Sequence, residues 1–176
     1  MSDFDKAKEL ITPFLRKYNF FVVESYKNYV RYSSKQTTIA VGYDERDYSY
    51  FTIVGDKTNN SFPLDVDNLK NVFDYDIQKF INKPLAEFFF DFFETKGHNI
   101  LTGDRIVLEQ LKRNRDERAE KATKELLQQR HLNAADNAWL SHNYRDFVKY
   151  IDLIDKTILP KSYELKYTIA KKKLGE

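Results

Sequence analysis

The chain is poor in the residues that build the commonest catalytic sites. It contains no cysteine and only three histidines and five glycines among 176 residues. The lack of cysteine excludes a disulfide scaffold, a cysteine-ligated metal site and a thiol nucleophile. No two of His98, His131 and His142 have the spacing of a helix-borne metal pair, and the glycine motifs of phosphate loops and nucleophile elbows do not occur. We therefore expect a protein that is not an enzyme and holds no cofactor.

Long apolar segments and a secretory signal are also missing. The densest apolar run, Phe88–Phe93, is interrupted by Asp91 and is far shorter than the roughly 18 residues of a membrane span. The start of the chain mixes acidic and basic side chains where a signal peptide needs a basic and then an apolar stretch. These observations predict a cytoplasmic protein with no membrane partner.

Aromatic and charged side chains are abundant. The 12 Tyr, 14 Phe and single Trp can form a substantial core, which argues against disorder. Lys and Arg together number 29 and Asp and Glu 27, so the net charge is only +2. This small value hides a polarity, because residues 56–94 contain eight acids and four lysines whereas residues 156–173 contain six lysines and one acid. Local electrostatic recognition is therefore compatible with a net charge near zero.

The apolar spacing changes from helical to strand-like and back again. Apolar residues at three- and four-residue steps from Phe4 to Tyr18 predict a first helix, which Pro13 should kink or split. Segments rich in β-branched and aromatic residues then predict an antiparallel meander with one buried face, at residues 20–24, 29–33, 37–44 and 48–54. The pattern after Pro63 is helical. The predicted fold class is α+β, with an N-terminal helix on a four-stranded antiparallel meander, followed by an all-helical C-terminal half.

The helical half is predicted to contain a long charged helix and a terminal hairpin. Residues 112–118 include no apolar side chain, but acids precede bases by four residues around them, the order that favours a solvated helix. Ala138-Trp139, Tyr144–Phe147 and Leu159-Pro160 follow one another in an order that resembles one tetratricopeptide-type helical hairpin, without a second copy. We predict an α+β domain over residues 1–97 and a helical extension over residues 98–176, with packing as one unit as the alternative.

The sharpest charged cluster is the predicted turn at residues 43–48. Asp44 and Asp47 lie on either side of Arg46, and Tyr43 and Tyr48 flank them. Paired carboxylates can bind a divalent cation or divide acid and base roles, which would suit a metal-dependent hydrolase. The other interpretation is a charged hairpin tip that keeps the turn solvated.

Two further sets of residues complete a candidate interaction surface. Phe90 points away from the apolar face formed by its neighbours and lies beside acidic Asp91, which suits a protein–protein contact. The second set consists of lysines near the C-terminus: Lys166, Lys171, Lys172 and Lys173. They can contact nucleic acid or an acidic protein, and a solvated helix face is the competing interpretation.

The hydrophobic segments of the first two thirds of the chain form a pattern of their own. They are Tyr18–Ser25, Tyr29–Tyr32, Val41–Arg46, Tyr48–Val54, Ala86–Phe89 and Asn99–Asp104. In this pattern the chain resembles small bacterial α+β proteins of the toxin-immunity and accessory type. The resemblance extends roughly from Phe4 to Leu111 and implies an α+β fold. The C-terminal hairpin lies outside it.

These observations together predict a non-enzymatic protein-binding module. It would be an immunity-type or adaptor protein that docks on another protein, since the sequence offers an interaction-rich surface without a catalytic motif. A nucleic-acid-binding protein that uses the lysine-rich C-terminal helix is the alternative. A metal-dependent hydrolase at residues 43–48 is the third hypothesis.

Overall fold

A computed structural model describes residues 2–58, 60–80 and 83–175. Within these ranges the α-helices are α1 (Asp3–Arg16), α2 (Val66–Phe73), α3 (Leu85–Thr95), α4 (His98–Leu101), α5 (Arg105–Leu140), α6 (Tyr144–Asp152) and α7 (Lys161–Leu174). The strands are β1 (Phe21–Tyr26), β2 (Tyr29–Ser33), β3 (Thr37–Asp44), β4 (Ser49–Asp56) and β5 (Ser61–Pro63). Short 3₁₀ helices occupy Ile77–Phe80 and Lys156–Ile158.

The chain divides into two compact units. Unit 1 is Met1–Asp116 and unit 2 is Glu117–Glu176. The division lies inside α5, whereas residue 97, the predicted boundary, lies between α3 and α4.

The first helix begins at a capping box and continues through Pro13. Ser2 Oγ accepts a hydrogen bond from Asp5 N, and the Asp5 carboxylate accepts one from Ser2 N. Two backbone donors at the helix start are thereby satisfied. The helix extends to Arg16, so the predicted split near Thr12 does not occur. Its buried stripe follows the predicted spacing: Phe4, Ala7, Ile11, Phe14 and Leu15.

The strands form one antiparallel sheet in the order β1-β2-β3-β4-β5. The prediction of an α+β protein is confirmed, and the predicted bounds of residues 29–33 and 37–44 are those of β2 and β3. The prediction of four strands was wrong, because within the described ranges Ser61–Pro63 adds a fifth strand beside β4. Three residues are too few to display a period of two. Pro63, which cannot donate a ladder hydrogen bond, fits only an edge position.

Cross-strand pairing sorts the side chains of the sheet into two faces. One face is buried in a core that also contains the apolar stripes of α1, α3 and α4. Its residues on the sheet are Val30, Tyr32, Ile39, Val41, Thr52, Val54 and Phe62. The opposite face, here called the open face, has larger side chains that are half-buried or exposed, among them Tyr29 and Phe51. One buried and one solvated face agree with the sequence pattern.

A few polar contacts connect the elements of unit 1. Thr37 Oγ1 donates to Ile100 O at 3.2 Å, which joins β3 to α4. Asn68 of α2 donates to Pro63 O and accepts from Asn114 of α5, each at 2.7 Å. These bonds satisfy buried polar groups and fix the helices relative to the sheet.

Unit 2 contains a core of its own. Side chains of α6 pack with small residues of α5 and α7, and the core members are Ala135, Ala138, Phe147, Val148, Ile151, Ile154 and Ala170. The Trp139 ring borders this core, 5.1 Å from Phe147 and 5.6 Å from Tyr144. By contrast, every residue of α5 from 116 to 127 is exposed. This stretch is helical although its side chains are exposed, as expected from its charge pattern.

Candidate functional site

The acidic turn at residues 43–48 is held together by local hydrogen bonds. Asp44 Oδ1 accepts from Arg46 N at 2.8 Å, the bonding of an Asx turn. Glu45 Oε1 accepts from Asn28 Nδ2 at 2.6 Å and from Lys27 Nζ at 3.2 Å. Both hydrogen bonds lower the pKa of Glu45, and the bond from Asn28 has the larger effect. The turn is therefore tied to the connection between β1 and β2.

The arrangement of the acidic turn favours a hairpin tip over a metal centre. Asp44 and Glu45 use carboxylate oxygens in the bonds above, and Asp47 is exposed. In the part of the chain that the structure describes, no group of three or more histidines, aspartates and glutamates could hold a metal ion. The carboxylates are thus spread along the turn without a converging set of ligands from a second element.

The two tyrosines of the turn have different surroundings. The Tyr43 ring lies 5.0 Å from that of Tyr50 and is half-buried. Tyr48 is 81% exposed, and its φ of 51° lies in the left-handed region that bulky residues rarely adopt. Tyr48 borders a groove between α1 and β4, whereas Tyr43 contributes to the packing of the hairpin.

Three aromatic side chains form a row across the open face. Tyr26 pairs with Tyr29, Tyr29 with Gly42, and Gly42 with Phe51, so the four residues lie on one cross-strand line. The ring centroids are 6.1 Å apart for Tyr26 and Tyr29 and 6.5 Å apart for Tyr29 and Phe51. Gly42 permits this row, because a Cβ at that position would overlap the Phe51 ring. We call Tyr26, Tyr29 and Phe51 the aromatic row.

The aromatic row ends at β1, an edge strand. All six residues of β1 are exposed, and no strand of the described residues pairs with its outer edge. Phe21 is 65% and Tyr26 67% exposed, with Val22 and Val23 also exposed. The register shifts between Val22 and Glu24, which marks a β-bulge. An apolar strand edge and an aromatic row thus form one continuous surface on unit 1.

A groove of about 920 Å³ lies beside the sheet in unit 1, where Thr52 of the buried face and Phe51 of the aromatic row both border it. Its walls come from α1, β4, the segment after β5, the 3₁₀ helix at Ile77–Phe80 and the start of α3. Leu10, Tyr48, Tyr50 and Phe88 give the groove a largely apolar lining. Thr52 also lines it and, at 4% exposure, is more buried than the other lining residues.

The remaining predicted surface residues belong partly to unit 1 and partly to unit 2. Phe90 is half-buried, and its ring packs 5.2 Å from that of Phe14 in unit 1. In unit 2, Lys166 Nζ lies 3.3 Å from Asp136 Oδ1 and 4.9 Å from the centre of the Tyr163 ring. Lys171 lies over the Tyr167 ring, whereas Lys172 and Lys173 are exposed. Two of the four lysines are thus engaged within the helical hairpin.

Comparison with known proteins adds no relative to this picture. No protein-family model matches the chain, and neither a curated protein nor a solved structure matches it. Across the described ranges, no helix has both the length and the apolar composition needed to cross a bilayer.

Two features of these surfaces, the exposed edge of β1 and the unpaired hydroxyl of Thr52, were not predicted from the sequence. The exposed edge of β1 has a signal in the sequence, because Phe20–Val23 contains consecutive apolar residues where a strand with one solvated face should alternate. Thr52 has no such signal, since a threonine in a β-rich segment is ordinary and its hydrogen-bonding state depends on distant elements.

Proposed function

We propose that this chain is a protein-binding module that docks an extended segment of another protein on the outer edge of β1. The exposure of the entire strand is the observation that supports the proposal. Exposed backbone groups at a sheet edge offer hydrogen bonds to a further strand, and apolar side chains beside them add burial energy. In Phe21, Val22, Val23 and Tyr26 the edge offers such side chains.

The two edges of the sheet differ in their protection. β5 has three residues and ends at Pro63, which has no N–H to donate and therefore limits pairing. β1 is twice as long, and its one charged residue, Glu24, lies 3.6 Å from Arg31 of β2. The bulge between Val22 and Glu24 increases the local twist. A partner strand on β1 therefore follows a twisted edge that contains no proline and only one charged residue, Glu24.

The aromatic row indicates which side chains the partner presents. A strand added beside β1 places one of its residues next to Tyr26, on the line that continues through Tyr29 and Phe51. An aromatic or β-branched residue at that position extends the apolar contact across the sheet. The partner segment is therefore extended, with apolar side chains at alternate positions.

Photo-crosslinking in cells tests the proposal. A benzophenone amino acid in place of Tyr26 is expected to capture a distinct protein, and mass spectrometry should place the crosslink in an extended apolar segment of it. Val23→Lys, which adds a charge to the edge, should abolish the crosslink. Val66→Lys is the matched control, because Val66 of α2 is 54% exposed against 55% for Val23.

Two results would contradict the proposal. One is a crosslink that survives Val23→Lys or is equally reduced by Val66→Lys. The other is capture of a second copy of the chain alone, which would make the β1 edge a self-association surface. Circular dichroism of both lysine variants checks that the fold is retained.

A further inference from the structure

The groove beneath Tyr48 and Tyr50 has the size and the lining of a small-molecule site. Its volume of about 920 Å³ falls within the range of roughly 300–1,000 Å³ that is usual for ligand pockets. Leu10 of α1, Tyr50 of β4 and Phe88 of α3 form apolar walls from three different elements. Leu10 is 54% exposed, so its side chain remains available to a ligand.

Thr52, which lines this groove, has a buried hydroxyl group without a hydrogen-bond partner among the described residues. Its Oγ1 is buried, and within the described ranges no group accepts from it or donates to it. Thr52 shares the buried face of the sheet with Thr37, whose Oγ1 donates to Ile100 O. Buried hydroxyls are normally hydrogen-bonded, so the unpaired one in the groove marks a position where a ligand can bond.

The charged groups around the groove are already neutralised. Lys6 Nζ lies 3.0 Å from Asp3 Oδ1, and Lys83 Nζ lies 3.4 Å from Glu87 Oε2. Asp65 Oδ1 accepts from Asn68 N at 2.8 Å and so caps α2. Because two acids and two bases of the lining balance, the groove is complementary to an uncharged ligand.

We propose that the groove binds a neutral, mainly aromatic small molecule whose single hydroxyl or carbonyl group hydrogen-bonds to Thr52 Oγ1. The aromatic part lies against Leu10, Tyr50 and Phe88, where ring stacking and apolar burial provide affinity. Thr52 provides orientation and selectivity, since a ligand without the polar group leaves the hydroxyl unpaired. Phe51 of the aromatic row also borders the groove, whereas Leu10, Thr52 and Phe88 lie outside both the row and β1. The inference does not rest on the proposed protein docking.

Phenol and toluene form a matched pair of probes, because they have nearly the same shape and differ in the hydroxyl group. NMR titration of methyl-labelled protein is expected to shift the methyl signals of Leu10, Leu64 and Leu85 with both probes. Thr52→Val removes the hydroxyl at constant volume. It should lower the affinity for phenol about fivefold and leave the affinity for toluene unchanged. The melting temperature of this variant should equal or exceed that of the wild type, since an unpaired buried hydroxyl is removed.

Three further measurements make the test complete. Thr38→Val, on the open face, is the matched control and should change neither affinity. Leu10→Ala should weaken both probes by the same factor, because only apolar contact is lost. N-acetyltyrosinamide, which presents the same phenol on a peptide unit, should bind more weakly than phenol.

The inference would be overturned by phenol shifts outside the groove, by Leu10→Ala without effect, or by Thr52→Val weakening toluene as much as phenol. Tighter binding of N-acetyltyrosinamide than of phenol would also overturn it and assign the groove to a tyrosine of a partner protein. None of these results depends on the crosslinking at β1.

Discussion

Hydrogen-bonded tyrosines are a recurring feature of this protein at the level of single residues. Tyr75 donates to Asp91 Oδ2 and Tyr167 to Asp152 Oδ1, each at 2.7 Å, and Tyr163 donates to Asp136 Oδ2 at 2.5 Å. In each case the neutral phenol is favoured by partial burial and by its bond to a carboxylate. Burial, as the larger cause, and the hydrogen bond to Asp136 together raise the pKa of Tyr163 to about 12.

Tyr163 is therefore expected to make unit 2 sensitive to alkaline pH. Its ordinary pKa is 10.0, so between about pH 10 and 12 the unfolded chain loses this proton while the folded chain retains it. Because the unfolded state then binds fewer protons than the folded state, the free energy of unfolding has its full value below pH 10 and falls as the pH approaches 12. Urea unfolding followed by Trp139 fluorescence should show a steeper loss across this interval for the wild type than for Tyr163→Phe. Equal slopes for the two proteins would contradict the expectation.

At the level of elements, the position of the Phe51 ring of β4 over β3 depends on Gly42. The Phe51 ring lies across the strand at that residue, where a side chain would overlap it. The neighbouring position on the same face, Ala40, pairs with Ile53 and tolerates a Cβ. The aromatic row therefore requires one glycine at one register position.

A double-mutant cycle is expected to reveal this dependence. Gly42→Ala should lower the free energy of unfolding by about 1–3 kcal/mol, the usual cost of overpacking. In a Phe51→Ala background the same change should cost less than half as much, because the overlapping ring is gone. Chemical denaturation of the four proteins measures the coupling. Additive effects would mean that Gly42 serves another purpose.

The elements that the sequence predicts well are those whose own spacing determines them. β2, β3 and the stripe of α1 follow directly from local apolar periodicity, and the acidic turn follows from its polar composition. β5 was missed because it is formed by pairing with β4 and not by a pattern of its own. The groove could not be predicted either, since Leu10, Tyr50 and Phe88 come together only through tertiary packing.

At the level of the whole molecule, the described residues form two hydrophobic cores that share no residue. One belongs to unit 1 and includes Phe89, and the other belongs to unit 2 and includes Phe147. The exposed stretch of α5 from 116 to 127 has no core contacts to hold it. Isolated helical stretches of this length are marginally stable in water. This stretch therefore contributes little to the free energy of unfolding of either core.

We therefore expect the two units to lose stability separately. Phe147→Ala should destabilise unit 2 by about 3–5 kcal/mol, as a lost core aromatic does elsewhere. Trp139 fluorescence should report the change, while hydrogen exchange of the β3 amides remains as in the wild type. Phe89→Ala is the matched control and should give the reverse result. An equal loss of protection in both units after either substitution would show that they unfold together.

The difference between the two sheet edges also sets a limit on how many molecules can join. With β5 short and ended by Pro63, strand addition is open at β1 and closed at the opposite margin. A molecule with one open strand edge can pair with one partner, but it has no second open edge to which a third chain could add. The docking proposed for β1 would thus end after one partner has been added. Strand addition at β1, as proposed, would therefore not continue into a growing fibre.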